Sequence, residues 1–257
     1  MIDLHSHILP SLDDGARHWE EAITMAKQAV QDGIKTVVAT PHHQNGIYFN
    51  DSSIVLDTIK EFNRRLEHEN IPLTVVPGHE THIYVDFVKD LRSDNLLTLN
   101  SNNKYILLEL PFKEVPRITE QLVYDIQLAG YIPIIPHPER NMEFQENPMK
   151  LYQLVKRGAL TQTTSASLLG NFGKEVQKFT FEIIEHHLVH MIATDAHHSK
   201  GHRGFQLKDG YKALENFGGL RLAEQFKENV VKVFNGNDIY VDSPVKIHRK
   251  KKIFGIF

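Results

Sequence analysis

Short apolar and β-branched runs alternate along the chain with longer segments whose apolar residues recur at helical spacing. Between residues 19 and 32, the small or apolar positions 22, 23, 26, 29 and 30 fall on one face of a helix. The pattern predicts helices over 19–32, 51–70, 117–129, 148–157 and 174–187. It predicts seven strands over 2–5, 36–40, 73–77, 105–110, 132–136, 159–163 and 190–194.

This alternation of strands and helices indicates an α/β fold built on a parallel sheet. Gly33, Gly130 and Gly158 each stand where a predicted helix ends and a strand soon begins, as C-terminal capping glycines do. No Gly/Ser-rich linker and no internal repeat divides the chain. We therefore predict one domain over 1–245, followed by a basic tail over 246–257. The pattern alone leaves an open doubly wound sheet and a closed barrel as alternatives.

The composition restricts the class of protein. The chain has 257 residues, of which 41% are hydrophobic and 24% charged, as in globular domains that fold in water. Its net charge of -3 gives no overall field for nucleic acid. No apolar run approaches the roughly 18 residues that span a bilayer. The first residues lack the basic and apolar regions of a signal peptide, so a cytoplasmic location is expected.

Two residue counts bear on the chemistry. The sequence has no cysteine, which excludes disulfides, thiolate zinc sites and a cysteine nucleophile. It has 16 histidines, and histidine is both the commonest metal ligand and the natural acid or base near neutral pH. The positions of these histidines are therefore more informative than their number.

Histidines or carboxylates follow six of the seven predicted strands. They are His5, His7, His42, His43, His79, Glu80, His82, Glu109, His137, Glu139, Asp195, His197 and His198. Singly, each has an ordinary explanation: Glu109 as a surface residue, for example, or Asp195 as a helix cap. The carboxyl ends of parallel strands meet on one face, however, and so many ionisable groups would repel one another without a cation. The sequence therefore predicts a metal centre.

The donor types narrow the identity of the metal. All candidate ligands are imidazoles or carboxylates, which suits manganese, iron or catalytic zinc. Roughly eight donors are too many for a single ion, so two or three ions with bridging carboxylates are expected.

The motifs "HSH", "PSLDDG", "TPHH", "GHE", "PHPER" and "TDAHH", in this order, resemble those of the PHP superfamily, named for polymerase and histidinol phosphatase. More narrowly, "DLHSHILPSLDDGA" and "ATPHHQNGIY" resemble the bacterial manganese-dependent protein-tyrosine phosphatases of capsule and exopolysaccharide operons. The resemblance extends from residue 1 to about 203. It implies a distorted (β/α)7 barrel of the PHP fold, similar to a TIM barrel.

The resemblance also implies roles for individual residues. Three metal ions would be held by His5, His7, Glu80 and Asp195, by Glu80, Glu109 and His137, and by Asp14, His42 and His197, with Glu80 bridging two of them. Arg140, and with looser register Arg203, would bind phosphate. Spacing alone did not find Asp14, because "LDDG" has the composition of a turn.

These assignments imply hydrolysis of phosphotyrosine by a metal-bound hydroxide that attacks phosphorus in line. His43, His198 or His202 would serve as the acid, and we single out His43. Ile47, Tyr48 and Phe112 would flank the tyrosine ring. The family's substrates imply a phosphotyrosyl partner, a membrane-associated tyrosine kinase or its substrate in capsule or exopolysaccharide synthesis. Two alternatives remain: a small-molecule phosphatase such as histidinol-phosphate phosphatase, and a metal-stabilised binding protein without turnover.

The last residues, "VKIHRKKKIFGIF", combine a basic run with aromatic and aliphatic side chains. Such a segment is either a solvated tail or a contact for anionic lipid, to which each basic residue contributes roughly 1 kcal/mol near the surface. Docking to an acidic, phosphorylated partner is a third alternative.

Overall fold

The computed structural model describes residues 1–248 of the chain. Its strands are β1 (Ile2–Ser6), β2 (Thr36–Ala39), β3 (His42–His43), β4 (Thr74–Pro77), β5 (Glu80–His82), β6 (Tyr105–Glu109), β7 (Ile132–Pro136), β8 (Leu160–Thr164) and β9 (Met191–Ala193). Its helices are α1 (Trp19–Gln31), α2 (Ser52–His68), α3 (Phe87–Arg92), α4 (Thr119–Leu128), α5 (Met142–Glu146), α6 (Pro148–Lys156), α7 (Ser165–Leu168), α8 (Lys174–Glu185), α9 (Leu207–Gly218) and α10 (Leu220–Phe234).

Two of the seven predicted strands are interrupted and resume as short second segments. β2 resumes as β3, and β4 resumes as β5. Thr36 pairs with Thr74, and His42 pairs with Glu80, so one register offset of 38 residues runs through both halves. Pro41, which has no N–H to donate, lies in the first interruption. The second segments carry ligand candidates, so the interruptions lie just below the site.

All strand pairs among the described residues are parallel. The strands form one sheet in the order β1-β2-β4 and another in the order β3-β5-β6-β7-β8-β9. A parallel bridge joins Ser6 to Ala196, just beyond β9, and the backbone N–H of His7 donates to the carbonyl of Ala196 at 2.8 Å. The end of β1 thus lies against the segment after the last strand. The predicted α/β fold with parallel strands is confirmed.

The apolar core consists of two clusters. The larger lies between the strands and the helices, where α1 contributes Ala22, Ala26 and Ala29. The smaller contains strand residues such as Leu4 and Tyr105. Burial of these side chains supplies the main driving force for assembling the layers.

The helix α10, which the sequence patterns did not predict, covers the amino ends of the strands. Its Val230 and Val233 pack with the inner strand residues. Asn229 donates to the carbonyl of His190, directly before β9. The Tyr105 hydroxyl donates to the carbonyl of Asn237, just after α10. With that end covered, access to the interior is from the carboxyl ends of the strands. Within residues 1–248, no helix is long and apolar enough to cross a membrane.

The start of the predicted tail packs against the domain. Ile247 is buried in the larger core cluster, and the Nζ atom of Lys246 lies 5.7 Å from the centre of the Tyr152 ring. The remaining tail positions, 249–257, lie outside the described residues. The predicted domain boundary at residue 245 stays a prediction.

Candidate metal centre

Imidazole and carboxylate groups from separate strands meet at the carboxyl ends of the strands. Their ligand atoms form three groups, within each of which all atoms lie within 4.8 Å of one another. The groups are His5, His7, Glu80 and Asp195; His42, Glu80 and Glu109; and His7, Asp14, His42 and His197. All of these residues were singled out from the sequence.

The first group is completely enclosed. His5 and His7 alternate along the extended chain, so both rings point toward one side. The Nε2 atom of His5 lies 3.4 Å from a carboxylate oxygen of Glu80 and 3.4 Å from one of Asp195. The Nε2 atom of His7 lies 3.2 Å and 3.3 Å from the same two oxygens. Two imidazole nitrogens and two carboxylate oxygens therefore surround one point.

Glu80 connects this group to the second one. Its Oε2 atom also lies 3.0 Å from Nδ1 of His42, and that nitrogen lies 3.4 Å from Oε2 of Glu109. The other oxygen of Glu80 accepts a hydrogen bond from Nε2 of His137 at 2.7 Å. Glu80 is thus the central carboxylate of the cluster, in the position that a bridging ligand requires.

The third group lies toward solvent. The Oδ1 atom of Asp14 lies 3.5 Å from Nε2 of His42 and 3.4 Å from Nε2 of His197. The Asp14 side chain is 47% exposed, whereas that of His197 is fully buried. His197 stacks on His7 with ring centroids 3.8 Å apart. Asp14 is therefore the outermost member of the cluster.

Hydrogen bonds behind the rings fix their orientation. Nδ1 of His7 donates to Asp13 at 2.6 Å, and Nδ1 of His5 lies 2.8 Å from the side-chain oxygen of Gln162. Nδ1 of His197 lies 2.9 Å from the backbone oxygen of Asp195. With the proton on Nδ1, each ring presents the Nε2 lone pair to the cluster, as metal-binding histidines do.

The supporting roles of Asp13 and Gln162 are not among the predictions from the sequence. Asp13 stands beside Asp14 in the quoted motif, and composition does not separate the two. Gln162 lies in the middle of the otherwise apolar and threonine-rich β8 and is 1% exposed. A lone amide in a buried strand is the signal that would have revealed it, since buried polar groups need partners.

Opposite charges determine the protonation of the centre. Burial opposes ionisation of Glu80, but His5 and then His42 outweigh it and hold the pKa of this carboxyl well below its ordinary value. Burial also opposes ionisation of Asp195, and there His197 and His5 lower the pKa well below the usual range. Both groups are therefore carboxylates at neutral pH, the form that binds metal.

The pKa values of His42 and His197 are shifted in opposite directions. Burial disfavours protonation of His42, but the charge of Glu80 overcomes this effect and raises the pKa to about 10. For His197, burial and then the neighbouring His7 lower the pKa to about 4. His197 is therefore a neutral imidazole, whereas His42 balances carboxylate charge with a proton that metal ions would displace.

The residues present fit a metal cluster. Nδ1 of His42 and Oε2 of Glu80 are buried and have no well-directed hydrogen bond within the described residues. Such orphaned polar atoms are costly unless a ligand satisfies them. The donor set is made only of imidazole and carboxylate. Asp13 and Gln162 contact the rings of His7 and His5 from behind, as the groups that orient metal ligands do.

Two backbone positions at the site are strained. His137 and Asp195 adopt φ values of 37° and 53°, in the left-handed region that non-glycine residues seldom occupy. The turn after His137 is anchored by the buried Glu139, whose Oε1 atom accepts the backbone N–H of Thr164 at 3.0 Å. Strain of this kind persists where the surroundings fix the chain, and it clusters at functional sites.

Two arginines contact the cluster through Asp195. Nη1 of Arg140 donates to Oδ2 of Asp195 at 2.6 Å. Nη2 of Arg203 lies 3.3 Å from the same oxygen and 2.8 Å from Nε2 of His197. Both guanidinium groups thus lie beside the candidate ligands, where they are suited to bind the oxygens of a phosphate.

The structure does not bring His43 to the cluster. Neighbouring residues of a strand point to opposite sides, so the His42 ring faces the ligands and the His43 ring stacks on His79 at 4.9 Å. Burial lowers the pKa of His43. The predicted role of His43 as the acid does not fit this orientation, because the His43 ring lies against His79 and not beside the candidate ligands.

The three residues expected to flank a tyrosine ring lie on loops that follow the strands. Ile47 is 76% exposed and Phe112 is 44% exposed. The Tyr48 ring is parallel to that of His42, with centroids 6.2 Å apart. The Phe112 ring stacks on His137 with centroids 5.4 Å apart, so Tyr48 and Phe112 both lie beside candidate ligands.

Comparisons with known proteins agree with this architecture. Residues 1–239 match a family model described as "Capsular polysaccharide synthesis, CpsB/CapC". The tyrosine-protein phosphatase YwqE of Bacillus subtilis (strain 168) is 46% identical over the full length of both chains. CapC of Staphylococcus aureus is 36% identical, again over the full length of both.

Solved structures give the same result. One, from a study of YwqE from Bacillus subtilis and CpsB from Streptococcus pneumoniae as unique metal-dependent tyrosine phosphatases, superposes with a TM-score of 0.94 at 46% identity. It covers 97% of this chain and 100% of its own. The histidinol phosphate phosphatase of Lactococcus lactis, at 13% identity and a TM-score of 0.53 over 96% of this chain and 98% of its own, shares the fold.

Proposed function

This chain belongs to the CpsB/CapC family of capsular polysaccharide synthesis, and we propose that it is a metal-dependent protein-tyrosine phosphatase acting on phosphotyrosine in proteins. The observation that carries the proposal is the position of Glu80. This buried carboxylate lies within 3.4 Å of His5, His7 and His42 and accepts a hydrogen bond from His137. Such a carboxylate is suited to joining two metal ions.

The proposed ligand sets are those implied by the sequence motifs. His5, His7, Glu80 and Asp195 would hold one ion, Glu80, Glu109 and His137 a second, and Asp14, His42 and His197 a third. His42 faces Glu80, Glu109 and Asp14, so its ring stands between the second and third sets. Manganese is the proposed metal, with iron and zinc as alternatives for the same donors.

When bound, the metal ions would supply a lowered pKa for water and charge compensation for phosphoryl oxygens. The chain's own residues would orient the substrate. Arg140 and Arg203 present planar guanidinium groups, which match the oxygens of a phosphate. Their shared partner Asp195 holds both groups at one side of the cluster. The arginines would then stabilise negative charge as it redistributes during transfer.

Selection for tyrosine would follow from the depth of the site. A phosphotyrosine holds its phosphate farther from the backbone than phosphoserine does, and most candidate ligands are buried. A rim of Ile47, Tyr48 and Phe112 would contact the ring in the proposed complex. Specificity would then depend on the distance from the substrate backbone to its phosphate and on apolar contact with the tyrosine ring.

We place the proposed substrate in capsule or exopolysaccharide synthesis, as a phosphotyrosyl protein such as a membrane-associated tyrosine kinase. Tyrosine phosphorylation uses ATP, so enzyme and substrate would meet in the cytoplasm. A contact between the basic tail and anionic lipid would bring the two together. Removal of residues 249–257 should then reduce sedimentation with anionic vesicles and leave hydrolysis of a small phosphate ester unchanged.

The decisive experiment is a comparison of substrates with the manganese-loaded protein. Phosphate release is measured from phosphotyrosyl and phosphoseryl forms of one peptide, from histidinol phosphate and from p-nitrophenyl phosphate. We expect the phosphotyrosyl peptide to be preferred and chelation to abolish release. Preference for histidinol phosphate would assign a small-molecule phosphatase, and no release from any substrate would assign a binding protein.

A further inference from the structure

The guanidinium group of Arg140 lies over two aromatic rings. Its central carbon is 4.7 Å from the centre of the Phe112 ring and 4.7 Å from the centre of the Phe172 ring. The Arg140 side chain is only 14% exposed. A cation over two ring faces is attracted to both. Building on the function proposed above, we propose that Phe112 and Phe172 are positioning residues that hold Arg140 for phosphate binding.

The backbone of the loop that carries Phe112 is fixed by the same turn that carries Arg140. The Asn141 side chain donates to the carbonyls of Pro111 and Glu114 at 2.7 and 3.1 Å. The backbone N–H of Met142 donates to the carbonyl of Phe112 at 2.8 Å. The loop with the ring and the turn with the cation are therefore joined on both sides of Phe112.

The Phe172 ring is fixed from a different part of the chain. Phe172 lies between α7 and α8, and its ring meets that of His202 edge to face at 6.0 Å. The side chain of the preceding Asn171 donates to the carbonyl of His202 at 3.3 Å. Phe172 thus couples Arg140 to the loop that carries Arg203.

This arrangement restricts the direction in which Arg140 can donate. The Phe112 and Phe172 rings contact the guanidinium group of Arg140. Its Nη1 atom donates a hydrogen bond to Asp195 at 2.6 Å. Within residues 1–248, Asp195 is the side-chain acceptor that receives a hydrogen bond from this group, which leaves further N–H donors for phosphoryl oxygens. A guanidinium held in advance loses less rotational freedom when it binds an anion.

Contacts of Phe112 explain why one ring would affect both phosphate and metal residues. Its ring also stacks on His137, with centroids 5.4 Å apart and planes inclined by 29°. Phe172 has no ring contact with a candidate ligand among the described residues. We call the contact of these two rings with Arg140 the clamp. Substitution of Phe172 is the better test of the clamp, because it leaves the ring contact with His137 in place.

The test measures the affinity of the manganese-loaded protein for inorganic phosphate, by calorimetry and by competitive inhibition, together with bound manganese. Phe172→Leu keeps apolar bulk and removes the ring face. We expect it to weaken phosphate binding about fivefold, with manganese content unchanged. Phe172→Tyr keeps a ring face and should bind phosphate with the affinity of the wild type. Phe217→Leu is the control, because Phe217 makes a comparable ring contact, with Phe181, in another part of the fold.

The same substitution in two arginine backgrounds identifies the route of its effect. If the ring acts through Arg140, Phe172→Leu has no further effect on phosphate affinity in Arg140→Ala, but keeps its effect in Arg203→Ala. An equal loss in both backgrounds, or a loss as large for Phe217→Leu, would overturn the clamp. Phosphate binding is measured without turnover, so failure of the clamp is distinguishable from failure of the wild type to hydrolyse phosphotyrosine.

Discussion

The Oδ2 atom of Asp13 accepts a hydrogen bond from Nδ1 of His7 at 2.6 Å. The same oxygen accepts the backbone N–H of His42 at 3.0 Å. One buried carboxylate therefore sets the tautomer of one candidate ligand and the backbone position of another. Carboxylates in this position raise the basicity of the imidazole and fix its ring for metal binding.

Replacing Asp13 should therefore weaken metal binding without removing a ligand. We expect Asp13→Ala to lower manganese affinity about 10- to 100-fold, and Asp13→Asn, which retains an acceptor, to lower it less. The measurement is competition with a chelator. Glu20→Gln is the control, since Glu20 is 84% exposed. Unchanged affinity in Asp13→Ala would show that His7 needs no such support.

Glu80 should be more important than any ligand candidate that stands in one group. Glu80→Gln keeps the volume and removes the charge shared by His5, His42 and His137. We expect it to retain fewer manganese ions per chain than Asp14→Asn, because Asp14 is half exposed at the edge of the cluster. Elemental analysis after gel filtration measures this. Equal manganese content in the two variants would contradict the bridging assignment.

The proximity of the candidate ligands could be predicted from the sequence because it follows from the topology of the fold. Parallel strands bring their carboxyl ends together, so His5 and Asp195 could be placed near each other although they are 190 positions apart in the sequence. Asp14 came only from the resemblance to a family. It lies in a loop whose turn-like composition would have been the same without a ligand.

Other features depend on tertiary contacts that a linear pattern does not contain. The second strand segments are only two and three residues long, too short for a periodic signal. Their brevity explains why the direction of His43 was not foreseen, since one residue of register reverses a side chain. The long-range partners of the ligands, such as Gln162 with His5, are fixed by packing between distant strands.

Arg140 should act on turnover rather than on metal retention. We expect Arg140→Ala to lower kcat for a phosphotyrosyl peptide about 100- to 1,000-fold, as removal of one donor to a developing charge does. Manganese content should match the wild type. Arg117→Ala, at an exposed arginine just before α4, is the control. Loss of manganese from Arg140→Ala would show that its bond to Asp195 supports the cluster instead.

A buried histidine at the opposite end of the strands should make the fold sensitive to acid. Burial lowers the pKa of His190 to about 4. Its Nδ1 atom accepts the backbone N–H of Thr161 at 3.0 Å, and its Nε2 atom has no partner within residues 1–248. The ring is therefore held neutral in the folded chain, whereas in the unfolded chain it titrates near pH 6.5.

The sign of the effect follows from this difference. Because the unfolded state binds the proton more readily, the contribution of His190 is fully present above pH 6.5 and is lost as the pH falls toward 4. The loss amounts to roughly 3 kcal/mol. His190→Asn keeps an acceptor for Thr161 and has no titrating ring. In urea unfolding at pH 7 and pH 5, we expect the wild type to lose more stability than this variant. Parallel losses would show that His190 is not among the groups that make the fold acid-sensitive.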